Sequence, residues 1–281
     1  MSSSTLTLAN GQVIAYHLDS VTPHAPTIIL ANPLCAAFTV WDHVIPPLTA
    51  AGFSVLRYNQ PGHGDSTAPK PSACTFASIA AGVHELLDLL KIKSLHAWVG
   101  VSMGAATGVV FATAYPGLVN KLVICDTIST APVHAGQPNL FADRVAAAEK
   151  AGTLEPTVTG TMDRWFGQAW LQTHAAEAER IKALMLTTKI EGFAACCGAL
   201  ASETFDLRPL FGKVGASVQE ALLVVGEKDA DLPVQMKEMR DKVQEGFEKQ
   251  VELKVIKGAG HVCFVDGLEE YLSVVVPFLQ A

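Results

Sequence analysis

The sequence predicts an α/β protein, a mainly parallel sheet of about eight strands carrying one helical insertion. Three observations point there. Apolar runs of strand length alternate with longer stretches of helical period, several of the runs are continuously Val/Ile/Leu-rich, and the alternation lapses once, between residues 131 and 210. Continuous apolar strands imply burial on both faces of the sheet.

In chain order, strands are expected at 13–18, 27–31, 54–57, 94–101, 121–126, 221–225 and 251–256, with a short one near 6–8. Helices fit between them at 41–51, 76–90, 103–114, 233–244 and 267–279. Thr75 suits the cap of the second helix, and Pro233 suits the first turn of the fourth. From 131 to 210 no strand signal occurs, and 140–152, 161–173, 175–188 and 191–202 read as helices. An insertion of that length is too long for a structureless loop. The chain is therefore expected to divide into a core, residues 1–130 and 211–281, and a helical cap, residues 131–210, that closes over a site on the sheet.

The chain has 281 residues, enough for a substantial core without disulfides or metals. Its 20 Lys and Arg against 27 Asp and Glu give a net charge of −7, with no basic run to gather phosphates, so a nucleic-acid partner is not expected. Charged residues make up only 17% and mean hydropathy is +0.30, which raises the question of a membrane span. The most apolar stretches fall well short of the ~18 residues that crossing requires, so they are expected to be buried strands. The N-terminal Met1-Ser2-Ser3-Ser4-Thr5 has no basic region followed by an apolar core, and a cytoplasmic protein is expected. Six cysteines form no CxxC pair, a usage that favours packed thiols over disulfides or a metal site.

The chemistry-bearing pattern is Gly100-Val101-Ser102-Met103-Gly104, a G-x-S-x-G string that ends an apolar strand and opens a small-residue helix. That setting is the strand–turn–helix elbow that lifts a strained serine above a sheet. A serine nucleophile needs a base, and the base needs an orienting carboxylate. Gly258-Ala259-Gly260-His261 follows the last strand, and Gly226-Glu227-Lys228-Asp229 follows the one before it. The order Ser102, Asp229, His261 is then the hydrolase order, with Asp231 and Asp126 as alternative acids. For the oxyanion, one donor is expected from the N–H of Met103. The other is expected in Asn32-Pro33-Leu34-Cys35, where Pro33 has no N–H, leaving Leu34 first and Cys35 second.

These residues resemble the α/β-hydrolase superfamily and, more narrowly, the 3-oxoadipate enol-lactonase family. The narrower likeness rests on Trp41-Asp42, the run 57–66 (RYNQPGHGDS), Arg164-Trp165-Phe166, and the segments 185–188, 192–200 and 206–208. It implies an α/β-hydrolase fold and cofactor-free opening of a small lactone or ester by Ser102, Asp229 and His261. It also implies a pocket bordered by Cys35 and Trp165, with Arg164 available to a substrate carboxylate. His63, in Gly62-His63-Gly64, is expected to be a structural turn residue. The uncharged run Val262-Cys263-Phe264-Val265 after the histidine departs toward a less polar acyl chain, with Val262 as its pocket contact. The same triad would also serve a lactone-forming cyclase, an isomerase or an acyltransferase, or persist in a ligand receptor.

Overall fold

All eight expected strands join one sheet in the computed structural model, which describes residues 3–71 and 73–281. They are β1 (Ser4–Thr7), β2 (Val13–Asp19), β3 (Thr27–Ala31), β4 (Ser54–Tyr58), β5 (Leu95–Val101), β6 (Val119–Cys125), β7 (Glu220–Gly226) and β8 (Glu252–Ile256). The spatial order is β1-β2-β4-β3-β5-β6-β7-β8. The β1–β2 and β2–β4 pairs are antiparallel, and the rest of the sheet is parallel.

Period-two alternation sends neighbouring strand residues to opposite layers. Ile29, Leu56, Trp98, Leu122 and Leu223 pack with α2 (Phe76–Leu89), α3 (Met103–Ala114), α8 (Arg208–Val214) and α9 (Leu232–Gln244). Ile28, Leu30, Val55, Val99 and Val224 pack on the other face with α1 (Ile45–Ala50), the short α10 (Cys263–Asp266) and α11 (Leu268–Gln280). Thr75 caps α2 in a reciprocal box with Ser78, and Pro233 lies in the first turn of α9 as expected. The single helix expected at 41–51 is instead a 3-10 turn, Phe38–Trp41, followed by α1. Pro46 and Pro47 lack the N–H groups that would carry one ladder through.

Between β6 and β7 lie α4 (Leu140–Ala151), α5 (Glu155–Thr173), α6 (Ala175–Met185) and α7 (Ile190–Ala201). The two ends of this insertion are zipped together: Ala131 N–H donates to Phe205 O at 2.9 Å and Leu207 N–H to Ser129 O at 2.8 Å. The following helix, α8, had no counterpart in the sequence reading and packs against α3 and α9. α5 is broken at Gly167, whose backbone stands at φ 74°, ψ 154°. α7 meets the core backbone to backbone. Gly62 and Gly192 pass so closely that a Cβ on either would run into the other, and Lys189 N–H donates to Gly62 O at 3.0 Å. No single helix among the described residues is long and apolar enough to cross a membrane.

Candidate active site

In a parallel sheet the carboxyl ends of the strands share one edge, and loops leaving that edge converge. Here those loops carry Leu34 and Cys35 after β3, Ser102 after β5, Asp126 after β6, Asp229 after β7 and His261 after β8.

Ser102 stands at φ 55°, ψ −119°, a region a side-chain-bearing residue occupies only under constraint. The constraint is visible. Ser102 N–H donates to Cys125 O at 2.9 Å, and the Trp98 indole N–H donates to Gly104 O at 3.0 Å. Gly100 and Gly104 are required because the strand and the helix cross there without room for a Cβ: one at Gly104 would strike the Ala31 carbonyl. The sharp turn leaves the serine side chain partly accessible while its neighbours are buried.

His261 Nδ1 lies 2.7 Å from Asp229 Oδ2, and both residues are buried. With Nδ1 donating to the carboxylate, Nε2 is the free ring nitrogen. The Trp165 indole packs against the imidazole with centroids 5.5 Å apart, and Trp165 O accepts from His261 N–H at 3.2 Å. Ser102 Oγ is hydrogen-bonded to neither partner among the described residues, and it lines the same cavity as both. The alternative acids are occupied elsewhere. Asp126, fully buried, accepts from Gly226 N–H at 2.7 Å, and burial together with the charge of Asp229 holds its carboxyl well above the ordinary range. Asp231 accepts from Gln235 at 2.6 Å on the first turn of α9.

Of the three candidate oxyanion donors, Leu34 and Met103 N–H have no acceptor among the described residues, whereas Cys35 N–H is already committed. It donates to His63 Nε2 at 2.9 Å, and His63 Nδ1 faces Pro61 O at 3.0 Å. A ring that accepts through Nε2 and donates through Nδ1 is neutral. Burial agrees, lowering the His63 pKa to about 4 against the smaller opposing pull of Pro61 O. Cys35 itself sits at φ 66°, so this imidazole pins a strained turn. Burial raises the Cys35 thiol to about 12, which leaves it unreactive as a thiolate at neutral pH.

The cavity measures about 1230 Å³ and is walled by Leu34, Cys35, Trp165 and Phe193 around Ser102 and His261. Arg164 reaches it from α5, and so does Arg144 from α4, a residue the sequence reading passed over. Neither guanidinium has an ion pair or hydrogen bond among the described residues; Arg144 rests on the Phe141 ring at 5.7 Å. Arg164 is itself exposed, so water reaches this guanidinium even though it borders the cavity. Val262 does not reach the cavity: it is wholly buried, as are Cys263 and Phe264, which face the helix layer with Trp41 and Tyr271. The apolar run after His261 is core, because α10 begins there and turns it inward.

The sheet order, the elbow and the loops at its carboxyl edge define an α/β hydrolase, and the chain belongs to the alpha/beta hydrolase fold family, whose model matches residues 26–268. Among individual proteins it is similar to 3-oxoadipate enol-lactonase 2 of Acinetobacter baylyi, 26% identical over 204 residues, covering 73% of this chain and 72% of the relative. Among solved structures it resembles a hydrolase from Pseudomonas aeruginosa PA01, with TM-score 0.85, 27% identity and coverage of 100% and 99% of the two chains. It also resembles the enol-lactonase from Burkholderia xenovorans LB400, with TM-score 0.83, 27% identity and coverage of 99% and 100%.

Proposed function

We propose that the protein is a serine hydrolase that opens a small lactone or carboxylic ester through an acyl-enzyme, with Ser102 as nucleophile, His261 as base and Asp229 as its orienting acid. The observation that carries the reading is the 2.7 Å contact of His261 Nδ1 with Asp229, which leaves Nε2 free in a cavity shared with the elbow serine. His261 takes the Ser102 proton as the hydroxyl attacks the carbonyl carbon, and the tetrahedral oxyanion is held by Leu34 and Met103 N–H. The imidazolium then protonates the departing oxygen. Water, deprotonated by the same nitrogen, releases the acid and restores Ser102. Asp229 keeps the imidazole in the correct tautomer and stabilises its charged form.

Two unpaired guanidinium groups on one cavity wall favour a substrate that carries a carboxylate, in keeping with the enol-lactonase likeness. With Val262 in the core, the apolar run gives no reason to prefer an uncharged acyl chain. In this reading α4–α7 act as a cap whose inner wall chooses the substrate. A fluorophosphonate probe tests the nucleophile: the intact mass should rise by one adduct in the wild type and remain unchanged in Ser102→Ala. A wild-type protein that gains no adduct and turns over no short-chain ester would remove the assignment.

A further inference from the structure

We infer that the helical insertion holds the base of the reaction by a main-chain strap, the Trp165 carbonyl on the His261 N–H, and that Gly167 is a positioning residue because its broken turn of α5 frees that carbonyl. The inference rests on His261 being the base, as proposed above.

In an unbroken α-helix the carbonyl of residue i accepts from the N–H of residue i+4, so Trp165 O would be taken by Ala169. At Gly167 the backbone takes φ 74°, ψ 154°, a combination that glycine alone adopts readily. The ladder is interrupted, and Trp165 O accepts from His261 N–H at 3.2 Å instead. The receiving loop is shaped for this approach. Gly260 lies so near the Trp165 carbonyl that a Cβ there would collide with its oxygen. Two glycines 93 positions apart (260 − 167) therefore serve one contact. The second glycine of Gly258-Ala259-Gly260-His261 has its physical reason in a helix of the insertion.

The strap completes the fixation of the imidazole. Asp229 holds Nδ1, the Trp165 indole packs at a tilt against the ring with centroids 5.5 Å apart, and the strap holds the main chain from which the ring projects. An alanine at 167 is strained in the broken turn but well suited to a continuous helix, so it shifts α5 toward the form in which Trp165 O returns to Ala169. His261 then keeps its carboxylate but loses its backbone anchor.

The test combines turnover of p-nitrophenyl acetate with hydrogen exchange at the His261 amide. In the wild type this amide should exchange slowly, as a bonded N–H. In Gly167→Ala it should exchange faster, and kcat should fall by between about tenfold and a hundredfold, the scale of a small misplacement of a reacting group. KM for so small an ester should change by less than about twofold, since the wall contacts it uses are few. The acid limb of the pH–rate profile should also move. Gly160→Ala, on the same helix at an exposed position with open space around a Cβ, should match the wild type in every respect. Rapid exchange of the wild-type His261 amide overturns the strap, and does so even if no variant folds. Unchanged kcat and pH profile in a folded Gly167→Ala protein overturn its role in positioning. A wild type that is inert to esters and to the phosphonate defeats the proposed function instead, while amide exchange still decides whether the strap exists.

Discussion

Replacing His63 by glutamine isolates the energetics of the loop that carries Leu34 and Cys35. Glutamine can present an acceptor to Cys35 N–H but does not titrate. In the native protein His63 titrates near pH 4, against an ordinary value of 6.5, because burial opposes its charged form. As pH falls, the unfolded chain takes up this proton first. The stability contributed by neutral His63 is therefore complete above pH 6.5 and is lost as pH drops toward 4. At pH 5 the two values give a loss of about 2 kcal/mol relative to pH 7. The raised carboxyls Asp126 and Asp266 act in the opposite sense over the same range, so the informative quantity is the difference between wild type and variant. Urea unfolding followed by tryptophan fluorescence at pH 7 and pH 5 should show the wild type losing about 2 kcal/mol more than His63→Gln. At pH 7 the variant should itself be less stable by about 1–3 kcal/mol, because one of the two buried bonds is not remade. Parallel losses in the two proteins would refute the neutral, buried histidine and with it the account of what pins the Cys35 turn.

If Asp229 orients His261 as proposed, Asp229→Asn should lower kcat on the order of 10⁴-fold, as loss of the orienting carboxylate does in a serine protease, whereas Asp126→Asn and Asp231→Asn should retain most activity. Steady-state kinetics of the three variants on one ester would decide among them. Arg144→Ala and Arg164→Ala should each raise KM about tenfold for a carboxylate-bearing lactone, the scale of one charged hydrogen bond, and leave a neutral acetate ester unaffected. Gly104→Ala should abolish probe labelling and destabilise the fold by several kcal/mol, on the order of an overpacked core, because its methyl group meets the Ala31 carbonyl; thermal unfolding measures the second effect.

The sheet was legible because its strands are Val/Ile/Leu-rich runs cut off by Gly, Pro and Asn, and each expected strand lies within a few residues of an observed one. The elbow was legible for a related reason, since both flanking glycines answer a backbone crossing that any such turn must make. Other features left weaker traces. α8 is seven residues long and contains both Pro209 and Gly212, too short to display a period. The break at Gly167 lies inside a stretch whose apolar spacing reads as one helix, and a single glycine does not say which turn it interrupts. Arg144 reads as one more cation on an amphipathic helix until the fold turns it toward Ser102's cavity. His63 was expected to be structural, but its acceptor role toward Cys35 depends on two segments that only the sheet brings together. Val262 shows the converse error, an apolar residue beside the histidine that helix α10 turns into the core.

The crossing of Gly62 and Gly192 bears on how this insertion could be exchanged with that of a relative. The neck at Ser129–Leu207 and Ala131–Phe205 invites recombination there, since two short backbone bonds form a tidy boundary. Yet α7 is also docked on the core 62–66 turn, where neither Gly62 nor Gly192 has space for a Cβ and Lys189 N–H bonds to Gly62 O. A donor segment lacking glycine at the position of Gly192 would wedge that turn outward, and the same turn carries His63 and, through it, Cys35. The transferable module is thus discontinuous: residues 130–206 together with the 60–66 turn. A chimaera that moves the helices alone, from a donor without that glycine, inherits a steric conflict one hydrogen bond away from the β3 loop.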